Sequence, residues 1–78
     1  MTNTETVYAV VSAPGYHGDY VMIWSTHTDL KAAKSACRRG GRSTILIEVP
    51  SGGVETGKIG AGPMADLMRV GAWRRVAS

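Results

Sequence analysis

The stretch Asp29-Leu30-Lys31-Ala32-Ala33-Lys34-Ser35-Ala36-Cys37-Arg38-Arg39-Gly40-Gly41 decides the fold. Leu30, Ala33 and Cys37 recur at i, i+3 and i+7 with Ala36 beside them, which is one face of an amphipathic helix. Thr26 or Thr28 suits the N-cap, where a hydroxyl accepts a free backbone N–H. Asp29 then sits in the first turn, where the helix dipole favours negative charge. Arg38 and Arg39 fall in the last turn, and Gly40-Gly41 supplies the left-handed stop. The spacing predicts a helix over about 28–39.

Outward from this helix the period changes to two. Residues 6–12, from Thr6 to Ser12, and 20–25, from Tyr20 to Ser25, are rich in β-branched and aromatic types. Pro14, Gly15 and Gly18 between them mark a turn, so the two strands form a hairpin. After the helix, residues 43–49, ending Ile45-Leu46-Ile47-Glu48-Val49, read as a third strand stopped by Pro50. Residues 54–59 read as a short fourth strand interrupted by Gly57. Pro63 suits the first position of a second helix, in which Met64, Leu67 and Met68 share a face and which Gly71 ends. Residues 72–77 fit either a helical turn or a last short strand.

The expected fold is α+β: a small two-layer domain with an antiparallel sheet of three to four strands, a β-β-α-β core and a short C-terminal helix. Strand 3 pairs with strand 1 in the order 2-1-3, because a helix separates it from strand 2. Residues 1–78 form one domain, with residues 1–5 polar and frayed. Alternation assigns Val21, Ile23, Ile45, Ile47 and Val49 to the helix-covered face. The opposite face then carries Tyr20, Met22, Trp24 and Leu46, with Tyr8 as neighbour. Either the C-terminal segment with Met64, Leu67, Met68 and Trp73 covers that face as a second core, or the face is an exposed patch for a partner or for a homodimer.

The composition narrows the functions. The chain has 78 residues, which excludes a barrel enzyme or a full dinucleotide-binding domain. Nine Lys/Arg against six Asp/Glu give a net charge of +3, which argues against a DNA mimic with a dense acidic face. A single cysteine, Cys37, excludes an internal disulfide and fits a reducing cytoplasm. The amino terminus lacks the basic and apolar regions of a signal peptide, and no apolar run approaches the ~20 residues that span a membrane. Cytoplasmic location without membrane contact is the expectation.

Several near-motifs fail their own chemical tests. Gly52 to Ile59 approaches a phosphate-binding loop, but Ile59 stands where Ser or Thr must ligate Mg²⁺, and Gly60-Ala61-Gly62 follows where a helix is needed. The pairs His17-Gly18-Asp19 and His27-Thr28-Asp29 bracket a strand and lie about 20 Å apart at ~3.3 Å per residue, too far to share a metal. Cys37 belongs to the apolar helix face and reads as a core thiol. No catalytic constellation, metal site or cofactor site emerges, so the chain reads as a non-enzymatic protein.

The basic residues and the aromatics carry the functional reading. Lys31, Lys34 and Arg38 form a helix stripe that Arg39 and Arg42 extend. Such a stripe is either a plain solvated face or a docking surface for acidic side chains or phosphates. Tyr20 and Trp24 are the anchor residues that protein interfaces favour. A second reading makes Tyr8, Tyr20 and Trp24 base-stacking residues of a small nucleic-acid-binding module.

A small chain built as the hairpin Val7–Val11 to Tyr20–Trp24, then Asp29–Ala36, then a β-branched strand, resembles the small accessory proteins of bacteriophages. Within that group it most resembles the anti-CRISPR proteins, in size and in element order over residues 6–49. The resemblance implies an inhibitor that binds a multi-subunit CRISPR–Cas interference complex in the host bacterial cytoplasm and blocks target DNA. The basic charge departs from the acidic, DNA-mimicking members of that group and suits an acidic protein patch.

Overall fold

The computed structural model describes residues 5–77. For residues 1–4 the expected fraying lies outside the described residues. The hairpin strands are β1 (Val7–Ser12) and β2 (Tyr20–His27). Helix α1 (Leu30–Gly40) follows, then a single 3-10 turn at Gly41–Ser43 and strand β3 (Thr44–Val49). The chain ends with β4 (Gly57–Gly60), α2 (Ala61–Arg69) and β5 (Arg74–Val76). The segment that the sequence leaves between helix and strand is therefore a strand, and the sheet has five strands rather than three or four. Helix α2 starts at Ala61, inside the Gly60-Ala61-Gly62 stretch expected to be non-helical, with Gly60 as N-cap. Pro63 is third rather than first, where the missing proline N–H still costs no intrahelical bond; Ile59 in the Ser/Thr position remains against a phosphate loop.

The sheet order is β4-β2-β1-β3-β5, with every neighbouring pair antiparallel. The expected order 2-1-3 forms its centre. β2 and β3 each run antiparallel to β1, so they are parallel to one another and α1 is the crossover between them.

The helix begins two residues later than the periodicity predicts. Asp29 is its N-cap, in place of Thr26 or Thr28, and its Oδ2 accepts the Ala32 N–H at 3.3 Å. At the other end Gly41 takes φ 71°, and its N–H bonds to the Arg38 carbonyl. Thr44 adds a second closure: its hydroxyl donates to the Cys37 carbonyl at 2.9 Å. A Cβ on Gly40 would collide with the Thr44 side chain, so this close approach of helix end and strand requires glycine.

The assignment of sheet faces is reversed. Val21, Ile23, Ile45, Ile47 and Val49 do share a face with Ala9 and Val11, but α1 does not cover it. Met64, Leu67 and Met68 of α2 cover it, together with Trp73 and Val54. Helix α1 lies on the other side, where Ala33 and Cys37 pack with Val10 and Leu46, and Tyr8, Leu30, Ala36 and Val76 flank them. Nor does the C-terminal segment cover the Tyr20–Trp24 side. The physical reason is twofold. The face taken by a crossover helix follows from the handedness of the connection, which alternation along a strand does not encode. The small residues of α1 also match a face that already carries a leucine and a tyrosine, whereas the methionines and Trp73 fill the face of valines and isoleucines.

The β1–β2 ladder holds one irregularity. Val10 pairs with Ser25 but Val11 pairs with Ile23, which leaves Trp24 as an extra residue in β2. Ser12 repairs the ladder beside it. Its hydroxyl, fully buried, accepts the Met22 N–H at 2.9 Å.

Two stability outcomes follow from these contacts. Ile47 is fully buried at the centre of the sheet, so Ile47→Ala lowers unfolding stability by about 2–4 kcal/mol; urea titration measures this, and an unchanged midpoint would contradict the packing described. Ser12→Ala strands the Met22 N–H and lowers stability by about 1–3 kcal/mol by the same titration.

Candidate functional site

Alternation with Ile23 puts Trp24 on the α1 face, and the bulge leaves it without a cross-strand partner of its own. The indole stands out of the sheet on that side and keeps 51% of its surface exposed. The loop from Ala13 to Asp19 folds back beside it. Two turn bonds shape this loop, Tyr16 N–H to the Ala13 carbonyl at 3.0 Å and Gly18 N–H to the Gly15 carbonyl at 3.3 Å. They bring His17 onto Tyr20 in a parallel stack, with ring centroids 4.9 Å apart. Tyr16 and Trp24 meet the same imidazole edge-on, at 4.9 Å and 6.2 Å. Lys58, from the neighbouring β4, places its Nζ 4.8 Å from the centre of the Tyr20 ring. The imidazole Nε2 is buried and has no hydrogen-bond partner among the described residues.

Between this aromatic wall and α1 runs an open groove of about 600 Å³. Tyr16, His17 and Trp24 form one side, and Ala36, Arg39 and Gly40 form the other. Val10 and Ser25 make the floor, while Ser43 and Thr44 close one end. Tyr16 is 63% exposed, so the groove presents two open aromatic rings and one guanidinium.

The sequence-derived site residues fall into three places. Trp24 and Arg39 come together across the groove. Lys31, Lys34 and Arg38 do form a stripe, but on the other flank of α1: Arg39 follows Ala32 and Ala36 at i+7 and i+3, on the groove side. Arg42 is exposed in the 3-10 turn that closes the groove. Tyr20 lies beneath His17 and supports the aromatic wall without lining the groove. The base-stacking trio is not an open platform, because Tyr8 packs beneath α1 and His17 covers Tyr20.

Tyr16 and His17 are the participants that sequence reading missed. Tyr16 passes as a loop residue beside turn glycines, and His17 was weighed only as a metal ligand, so neither was read as an aromatic neighbour of Tyr20 and Trp24. Among the described residues, the sole ion pair is Arg69–Asp66, far from this groove in sequence. The cations of α1 and its following turn have no carboxylate partner there. Cys37 is buried in the α1 core, with its Sγ 3.7 Å from Thr44 Oγ1. No group of three or more His, Cys, Asp or Glu among the described residues is placed to hold a metal ion. No described helix is long and apolar enough to cross a membrane.

No family model matches the chain, and neither a curated protein nor a solved structure matches it.

The two tryptophans behave differently. Trp73 is 7% exposed and Trp24 is half-exposed. Trp73→Ala costs about 3–5 kcal/mol, while Trp24→Ala costs about 1 kcal/mol or less. Acrylamide quenching and thermal melts of the two variants separate them; equal losses of stability would contradict the exposed position of Trp24.

Proposed function

We propose that this protein is a non-enzymatic binding protein that docks on an acidic protein surface through α1 and the adjoining groove. The observation that carries the reading is the pairing of a half-exposed tryptophan with Arg39 across an open groove, beside cations with no carboxylate partner among the described residues. An exposed aromatic anchor with a cation across the groove and others on the far flank of the helix suits a protein interface, since the ring supplies buried area and the charges steer approach. The resemblance to anti-CRISPR proteins supplies the partner. It is a multi-subunit CRISPR–Cas interference complex, and occupation of an acidic patch on it blocks target DNA.

The charge arithmetic favours a protein partner over free nucleic acid. A net charge of +3 neutralises few phosphates, and contacts of that kind give about 10⁻⁴–10⁻⁶ M at physiological salt. An inhibitor must compete with a nucleic acid already held by a dedicated complex, which demands tighter binding.

Band-shift measurement of target-DNA binding by purified interference complexes, with and without the protein, tests this directly. Inhibition at stoichiometric protein is expected. In surface-binding kinetics, Lys34→Glu with Arg38→Glu slows association about tenfold, and Trp24→Ala mainly speeds dissociation. Tight, sequence-selective binding to free DNA or RNA at about 150 mM salt overturns the proposal in favour of a small nucleic-acid-binding module.

A further inference from the structure

The groove between Trp24 and α1 is more specific than a charged face, and the geometry points to one kind of occupant: a short acidic segment of a protein partner that seats an apolar side chain on Trp24 and pairs a carboxylate with Arg39. This inference rests on the docking reading above and names what the groove itself takes.

Three features argue for it. The floor and inner wall at Val10, Ala36 and Gly40 are small and apolar, so the space beside the indole fits an inserted side chain. Trp24 is held before any partner arrives. Its place in β2 sets the face, and His17, stacked on Tyr20, meets its ring edge-on at 6.2 Å. A pre-set ring avoids the ordering cost of a mobile anchor. Finally, among the described residues Arg39 is the only charged one lining the groove, and no carboxylate lines it. Arg42 adds a second cation in the turn that closes one end.

A nucleic-acid strand fits less well. The cations are divided between two flanks of α1, with Lys31, Lys34 and Arg38 on one and Arg39 on the other, so no single track follows a phosphate backbone. Successive bases would also need successive open rings, and Tyr8 and Tyr20 are already covered.

The test uses the full chain, labelled with ¹⁵N, and three probes. One is a pooled hexapeptide library with glutamate at alternate positions and varied apolar residues between. The second is the same library with lysine for glutamate, and the third is oligothymidylate. The Trp24 indole N–H and the Arg39 amide are followed by two-dimensional NMR. The glutamate pool is expected to move both signals and the lysine pool to leave them. Arg39→Glu should weaken the glutamate pool about tenfold and let the lysine pool bind. Trp24→Ala should abolish the response of the Arg39 amide; because both side chains are exposed, the amide spectrum also reports that each variant stays folded.

Equal shifts from both peptide pools overturn the proposal, as does a stronger response to oligothymidylate or none to either pool. If interference complexes bind the protein while neither pool moves these signals, the docking reading stands and the groove assignment falls. If the glutamate pool binds as expected and no complex does, the groove stands and the partner assignment falls.

Discussion

A strand that is apolar on both faces cannot rest on a two-layer scaffold. β1 carries Ala9 and Val11 on one side and Val10 on the other, and β3 opposes Ile45, Ile47 and Val49 to Leu46. Each valine, leucine or isoleucine among them contributes about 1.5–3 kcal/mol when fully removed from water, so both faces need cover. Every other element of the fold answers that need. Helix α1 crosses from β2 to β3 over one face, and α2 with Trp73 closes the other. β4 and β5 pair with the outer edges of β2 and β3. In a chain of 78 residues the result is three thin layers in place of two thicker ones.

The exposed groove is a by-product of that economy. α1 is a helix of small buried residues, Ala33 and Cys37, and it sits close against Val10 and Leu46. It covers the centre of its face and leaves the β2 side open. On that side Trp24 stands at the bulge, and the hairpin loop supplies Tyr16 and His17 to prop it. A bulge costs ladder hydrogen bonding, and here Ser12 offsets the loss by taking the Met22 N–H into its own hydroxyl. The functional proposal therefore grows from the side of the face that α1 leaves open.

The charges follow a different logic. Arg38 and Arg39 sit in the last turn of α1, where cations complement the carbonyl end of the helix dipole. Their presence is thus explained by helix stability before any partner is invoked. What the fold adds is their separation: spacing of three and four keeps Lys31, Lys34 and Arg38 together, while spacing of three and seven aligns Arg39 with Ala36 and Ala32. The first set lies on the flank away from the groove, whereas Arg39 lines the groove opposite the aromatic wall.

Local sequence determined the elements. The capped stripe around Ala33 and Cys37, the β-branched runs at residues 6–12 and 43–49, and the Pro and Gly stops are short-range signals, and each corresponds to an element within a few residues. The order 2-1-3 was also legible, because the intervening helix forbids a hairpin between strands 2 and 3. The candidate anchors Trp24 and Arg39 were visible as residue types. Only the tertiary structure decided which face each helix covers, because that choice depends on crossover handedness and on matching large side chains to small ones across layers. It also decided that Tyr8 and Tyr20 are covered while Trp24 is open. The covers come from outside the strands themselves, α1 over Tyr8 and the loop residue His17 over Tyr20, and alternation along a single strand carries no information about them.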